Sequence, residues 1–316
     1  MDTVPLKFVD SVVELFGKET LEQLAREVRH RHWKPAVNLH HCNRVYYEIS
    51  FRLTEEGIQH LFKNVNNKRD LPFGKDRRFA RIVCVKDVTS SFNLSYLDGV
   101  EPLGEAETGK LLNKISPLID QVSGHFDSYL GSADCTRVLL TSFFKRVYLR
   151  RITLTYCGQI TYDFLEDQIN NSPFLTKVEM MGYDWPKTFL KLITNFCLKG
   201  RPGNHIQAVL SSRNGVLDSG YIQHLLDLWK TNGNLNFRFN CVGDRTSEDY
   251  RAVMKKYKVL AIRDYSWHTF FRHPTAKTIA RVLNQELEVE CFSCECDHSE
   301  KCPLKEKYPQ YHNLWP

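Results

Sequence analysis

Near the C-terminus, Cys291, Cys294, Cys296 and Cys302 fall within twelve positions, with His298 and His312 close by. Thiolates and neutral imidazoles are the ligands zinc takes, and structural zinc is four-coordinate and tetrahedral. Cys291 and Cys294 form a C-x-x-C pair. Cys296 and Cys302 complete a candidate set of four thiolates, and His298 or His312 could stand in for one of them. One C-x-x-C with a C-x5-C is less specific than two separated C-x-x-C pairs, and closing four ligands so locally needs a tight loop. Three uses fit: a knuckle that binds a partner or nucleic acid, a structural clip, or reduced thiols without metal. The preceding "LEVECFSC" alternates Leu287, Val289 and Cys291 as a strand does, and Pro303 ends the cluster. A cluster placed just after the last strand suits a structural zinc clip better than a working centre.

Other chemistry is sparse. The chain has no Walker loop, dinucleotide-binding glycines, G-x-S-x-G or H-E-x-x-H. With ten cysteines and twelve histidines, a Cys/His pair arises by chance, so Cys157 is not read as a nucleophile. Asp163, Glu166 and Asp167 lie along one predicted helix surface, but acid–base work would need a cleft to perturb one of them. The expectation is that the protein is not an enzyme.

The bulk composition agrees with a soluble, compact chain. Its 316 residues are 42% hydrophobic and 25% charged, enough for a sizeable core. The net charge of +6 is mild. The basic runs 75–81 and 144–151 carry no interleaved aromatic platform, so they read as solvated faces and nucleic acid is not the expected partner. No stretch reaches about 18 apolar residues, so no membrane span is expected. Acidic residues Asp2, Asp10 and Glu14 interrupt the N-terminus, which does not read as a signal peptide. Six cysteines are scattered singly, which suits reduced thiols in the cytoplasm or nucleus.

The elements that would carry these residues are legible from periodicity. Phe8, Val9, Val12, Val13, Leu15 and Phe16 recur at helical spacing. Thr20 is the expected N-cap of a second helix bearing Leu21, Leu24, Ala25 and Val28, and a third begins near Lys34–Pro35. The spacing predicts a strand over 43–53, a helix from Thr54 to Val65, a strand over 79–88 and a helix ending near Ser116–Pro117. His30, His32, His40, His41 and Cys42 are irregularly spaced and read as surface or packing residues.

From 147 to 242 strands and helices alternate. Leu154, Met180, Ser211 and Phe237 mark strand centres, a period of about 26 to 31 residues. That is leucine-rich-repeat spacing, in which βα units stack because one unit cannot bury its own apolar face. The asparagines expected of such repeats occur at Asn214 and Asn240. The fold class expected is α+β to α/β: a helical module (1–42), a leucine-rich-repeat-like βα array (43–290) and a Cys-rich C-terminal cap (291–316).

The order Val4-Pro5, Phe8-Val9, Val12-Val13, Leu15-Phe16, Leu21, Leu24-Ala25, Val28 and Trp33 resembles an F-box, with "AREVRHRHW" where that family carries a basic cluster before a Trp. Val4 stands in place of the family's leucine. With "NRVYYEI", "NSPFL" and "CLKGRPGNH", the chain resembles the nematode-expanded F-box-associated proteins. The resemblance implies a substrate-receptor subunit of a cullin-type (SCF) ubiquitin ligase, with an unidentified protein substrate. Pro5, Phe8, Val9, Val12, Leu21, Leu24 and Trp33 would form or support the surface that meets the ligase's adaptor subunit. The alternative is a zinc-stabilised nucleic-acid- or protein-binding module with no ligase link.

Overall fold

The computed structural model describes residues 5–65, 77–92, 94–182, 184–211, 219–242, 255–256, 261–264, 268–283, 287–297 and 301–313. Asn214 and His298 lie outside the described residues. The chain divides into two compact units: residues 1–153 with 157–174, and residues 154–156 with 175–316. The N-terminal helices belong to the first unit and the Cys-rich segment to the second.

Unit 1 opens with α1 (Leu6–Glu14), α2 (Lys18–Glu27) and α3 (Trp33–Asn43). Val9 and Val13, one turn apart on α1, bury against Leu21 of α2 and Ala36 and Val37 of α3. Phe16, Leu24, Ala25 and Trp33 close around them. Gly17, not Thr20, precedes the first residue of α2. A side chain there would meet Val122 Cγ1 at 2.8 Å, so close approach selects glycine over a capping hydroxyl. Buried Arg44 donates to the carbonyls of Val13 (2.8 Å), Glu14 (2.7 Å) and Phe16, tying down the C-terminal end of α1.

The sheet of unit 1 follows. β1 (Val45–Thr54) pairs antiparallel with β2 (Gly57–Asn64) and parallel with β3 (Ala80–Asp87). The helix expected over 54–65 is therefore β2. Thr54 pairs with Gly57, leaving Glu55 and Glu56 as a two-residue hairpin loop. Gly57 has φ 141, and a Cβ there would lie 2.3 Å from the Leu103 carbonyl oxygen. Ile58, Leu61, Phe62 and Val65 mimic helical spacing, but backbone pairing along all of β2 overrides it. α4 (Glu105–Ile115), β4 (His125–Asp127), α5 (Ala133–Phe143), the first three residues of β5 (Arg151–Thr155) and α6 (Gln159–Asn171) complete the unit. β3, β4 and the first three residues of β5 pair in parallel.

In unit 2, β6 (Lys177–Met181), α7 (Phe189–Cys197), β7 (Ile206–Ser211), α8 (Ser219–Asn232) and β8 (Phe237–Val242) alternate, with the three strands parallel. This is the βα alternation that the spacing predicts. The run then changes character. β9 (Ala261–Asp264), β10 (His268–Arg272), β11 (Thr278–Leu283) and β12 (Leu287–Ser293) pair antiparallel, and β12 returns to lie beside β8. Thus the repeat does not run to residue 290. Two short helices, α9 (Pro303–Lys307) and α10 (Pro309–His312), end the unit.

Burial alternates strictly along β6 and β7, whereas β10, β11 and β12 carry runs of consecutive buried residues. Val178, Met180, Ile206, Ala208, Leu210, Phe237, Phe239 and Cys241 are buried, and the Tyr221 ring of α8 packs on Phe239 at 5.4 Å. Ile222, Leu225, Leu226 and Trp229 line the buried side of α8. The register carries an opposite row across six strands: Lys177, Gln207, Arg238, Glu290, Arg281 and Phe270. Arg238 and Arg281 bond the buried carboxylates of Glu288 and Glu290. Phe292 also faces this side, because its neighbour Cys291 pairs with Phe237 on the α8 side.

Candidate functional site

The C-terminal segment gathers a cysteine–histidine group that could hold a metal such as zinc. The ligand atoms of Cys294, Cys296, Cys302 and His312 all lie within 4.8 Å of one another. Cys294 and Cys296 follow β12 directly, Cys302 precedes α9, and His312 ends α10. His312 Nε2 is 3.4 Å from Cys294 Sγ and 3.2 Å from Cys296 Sγ. Pro303 and Pro309 start the two helices and fix their entry angles.

Cys291 is not part of the group. It sits fully buried in β12, paired with Phe237 and Ala280, and its side chain points to the α8 side. The C-x-x-C pair is therefore split: within a strand, residues three apart face opposite sides. His312, one of two histidines that could replace a thiolate, takes the fourth place. The spacing alone could not choose it, because α9 and α10 bring it back from ten positions beyond Cys302.

The surroundings favour a thiolate at Cys302. Burial pushes its thiol up, but the N–H groups of Glu295 and Lys305 and the thiols of Cys296 and Cys294 outweigh this and hold it below the ordinary value. Glu295 N donates to Cys302 Sγ at 3.2 Å. The Cys296 thiol is pushed up to about 11, chiefly by its hydrogen bond with Cys294. His312 Nδ1 meets Asn313 Oδ1 at 3.2 Å, which leaves Nε2 for the thiols.

Elsewhere, Cys84 Sγ approaches His125 Nδ1 at 3.8 Å, but burial pushes the Cys84 thiol up to about 12. Burial likewise raises Cys157, whose Sγ lies 2.9 Å from Thr161 Oγ1. Neither is activated as a nucleophile. Of the α6 carboxylates, Asp163 accepts from Gln159 and Asp167 from Asn171, each within the helix, while Glu166 is exposed.

The seven residues expected at the docking surface separate into two sets. Val9 and Leu21 are buried in the three-helix core, and Leu24 and Trp33 pack against it, with the Trp33 ring stacked on Phe16 at 6.4 Å. Pro5 and Phe8 are exposed and Val12 is half-buried. Leu15 (74% exposed) extends the line of Phe8 (57%), and Leu6 (54%) is a further exposed apolar residue of α1. Pro5, Phe8, Val12 and Leu15 follow i, i+3, i+7, i+10 spacing, an apolar stripe next to the buried Val9–Val13 face. That spacing was available in the sequence and would have singled out Leu15. Next to Leu15, an open groove of ≈ 690 Å³ is lined in part by Phe16, Arg78, Arg81, Pro117 and Phe174.

Among the described residues, no helix is long and apolar enough to cross a membrane. Compared with models of known protein families, with curated proteins and with solved structures, the chain matches none.

Proposed function

We propose that the chain is a protein-binding adaptor, the substrate-receptor subunit of a cullin-type ubiquitin ligase. The observation that carries this is the apolar stripe Pro5–Phe8–Val12–Leu15, exposed except for the half-buried Val12, on a three-helix bundle whose buried core does not include it. Large apolar side chains left on one helix face mark a surface that another protein covers. The F-box resemblance of residues 4–33 names that protein as the ligase's adaptor subunit.

The βα run, leucine-rich-repeat-like in its spacing, supplies the substrate-binding part. Its sheet in unit 2 is buried on the α8 side, and on the other side the parallel strands carry the half-exposed Lys177, Glu179, Gln207 and Arg238, a surface suited to reading a protein by its side chains. The C-terminal group serves this receptor as a structural zinc cap and takes no part in docking.

Co-purification with the adaptor subunit tests this reading. The chain should retain the adaptor, and a Phe8→Ala/Leu15→Ala double variant should lose it while keeping its thermal stability. Retention by the folded double variant would place docking elsewhere.

A further inference from the structure

We propose that Cys294, Cys296, Cys302 and His312 bind one zinc ion in a closed site, and that this ion holds α9 and α10 on the sheet face opposite α8. The inference is independent of the docking reading. It rests on the donor set, the distances, the atoms behind the donors and the weakness of what else holds the segment.

Three sulfurs and one imidazole nitrogen select a tetrahedral ion that favours thiolates, and exclude calcium and magnesium, which take oxygen ligands. Zinc–sulfur bonds of about 2.3 Å and zinc–nitrogen bonds of about 2.0 Å set tetrahedral ligands about 3.5 Å apart. The S···N separations of 3.4 and 3.2 Å are already near that value. Four protein donors fill the coordination shell, which leaves no open position for a substrate or water. The supporting atoms are also in place. Asn313 Oδ1 meets the far nitrogen of His312, and the N–H of Glu295 donates to Cys302 Sγ.

The ion has structural work here. α9 has five residues and α10 four, too short to persist alone. Their anchor is a small cluster: Leu304 and Tyr311, with Tyr308 alongside, against Phe270, Ile279 and Phe292. Cys302 belongs to that cluster and Cys294 packs on it, so the metal-binding atoms and the apolar contact share residues. Ligation through His312 joins the last turn of the segment to the end of β12. Without the ion, the segment would keep the small apolar cluster around Leu304, Tyr308 and Tyr311 and the contacts of Lys307 with Glu290 and the Phe292 ring, with nothing fixing its last turn to the end of β12.

The test is metal analysis of the full chain purified under reducing conditions, followed by chelation and limited proteolysis. One zinc per chain is expected. Cobalt(II) should replace it and give the intense visible absorption of a tetrahedral thiolate site. Cys296→Ser, at an exposed position, and His312→Ala should each cut the bound zinc at least tenfold at equal free metal. Cys291→Ser should keep one zinc. Chelation should open residues 301–313 to protease while the rest of the chain stays resistant. A folded, reduced chain without stoichiometric metal would overturn the proposal, as would full zinc content in both ligand variants. A segment equally protected with and without zinc would overturn the anchoring role.

Discussion

Cys296 Sγ and His312 Nε2 lie 3.2 Å apart across sixteen positions of chain. The path between them runs through Cys302, α9 and α10, so this contact closes the C-terminal segment on itself. A metal bound there stabilises the folded state by mass action. Raising free zinc to about 1,000 times its dissociation constant should add about 4 kcal/mol. Melting temperature measured against buffered free zinc should therefore rise steadily. A flat profile would contradict metal linkage.

Cys291 has a different part. It is fully buried between Phe237 and Ala280, with its thiol pushed far up by burial. A serine there carries a hydroxyl into an apolar site. Cys291→Ser should cost about 1–3 kcal/mol in urea unfolding and leave metal content unchanged. Loss of zinc together with stability would assign Cys291 to the metal group instead.

Asp87 ties the end of β3 to the start of α5. Its carboxylate accepts from Thr89 N (3.1 Å), Thr89 Oγ1 (2.6 Å), Ser132 N (3.1 Å) and Thr136 Oγ1 (2.8 Å). A Cβ on Gly131 would come within 2.5 Å of the same carboxylate. Asp87→Ala leaves these donors unpaired and should cost about 3 kcal/mol or more. Asp87→Asn, which retains one acceptor oxygen, should cost less. Equal losses from the two variants, read by chemical denaturation, would show that the hydrogen bonds do not matter.

His40 makes the stability of unit 1 sensitive to acid. Burial holds its imidazole below the ordinary 6.5, although the hydrogen bond to Asp10 (3.0 Å) raises it; Arg44 and Arg78 also lower it. The Phe79 ring meets it edge-on. Burial raises Asp10, but the hydrogen bonds from His40 and Arg78 outweigh this and bring it below 3.8. As pH falls through 6.5, the unfolded chain takes up a proton that folded His40 resists, so stability drops until the folded imidazole itself titrates. Asp10 contributes above 3.8 and its contribution is lost as pH falls through its folded value. His40→Gln keeps a donor for Asp10 without titrating, and should flatten the loss that begins near pH 6.5. An unchanged slope in the variant would remove His40 as its cause.

Much of the fold is legible in the sequence because periodicity reports burial. The helices around Val9, Leu21 and Val37, the strands at Ile49 and Val85, and the βα alternation through Met180, Leu210 and Phe239 follow from spacing alone. The failures have physical causes. Residues 54–65 carry a helical apolar pattern, but Gly57 and the two-residue turn make β2, a choice decided by pairing with β1. The metal group was legible as a cluster and not as a ligand set. Strand geometry turns Cys291 away from Cys294, and two helical turns return His312 from a distance that spacing does not encode. At the proposed docking surface, the sequence shows which residues are apolar but not which are already covered, so Val9 and Leu21 look equivalent to Phe8 until the core is seen.

That distinction sets the direct measurement: calorimetric titration of the purified ligase adaptor subunit into the chain and its variants. One-to-one saturable binding is expected. Phe8→Ala/Leu15→Ala should weaken it at least tenfold, about 1.4 kcal/mol, with an unchanged melting temperature. Leu21→Ala, which opens a cavity in the bundle, should cost about 2–5 kcal/mol of stability before affinity is considered. Absence of binding by the unaltered chain, or full affinity in the folded double variant, would contradict the adaptor account.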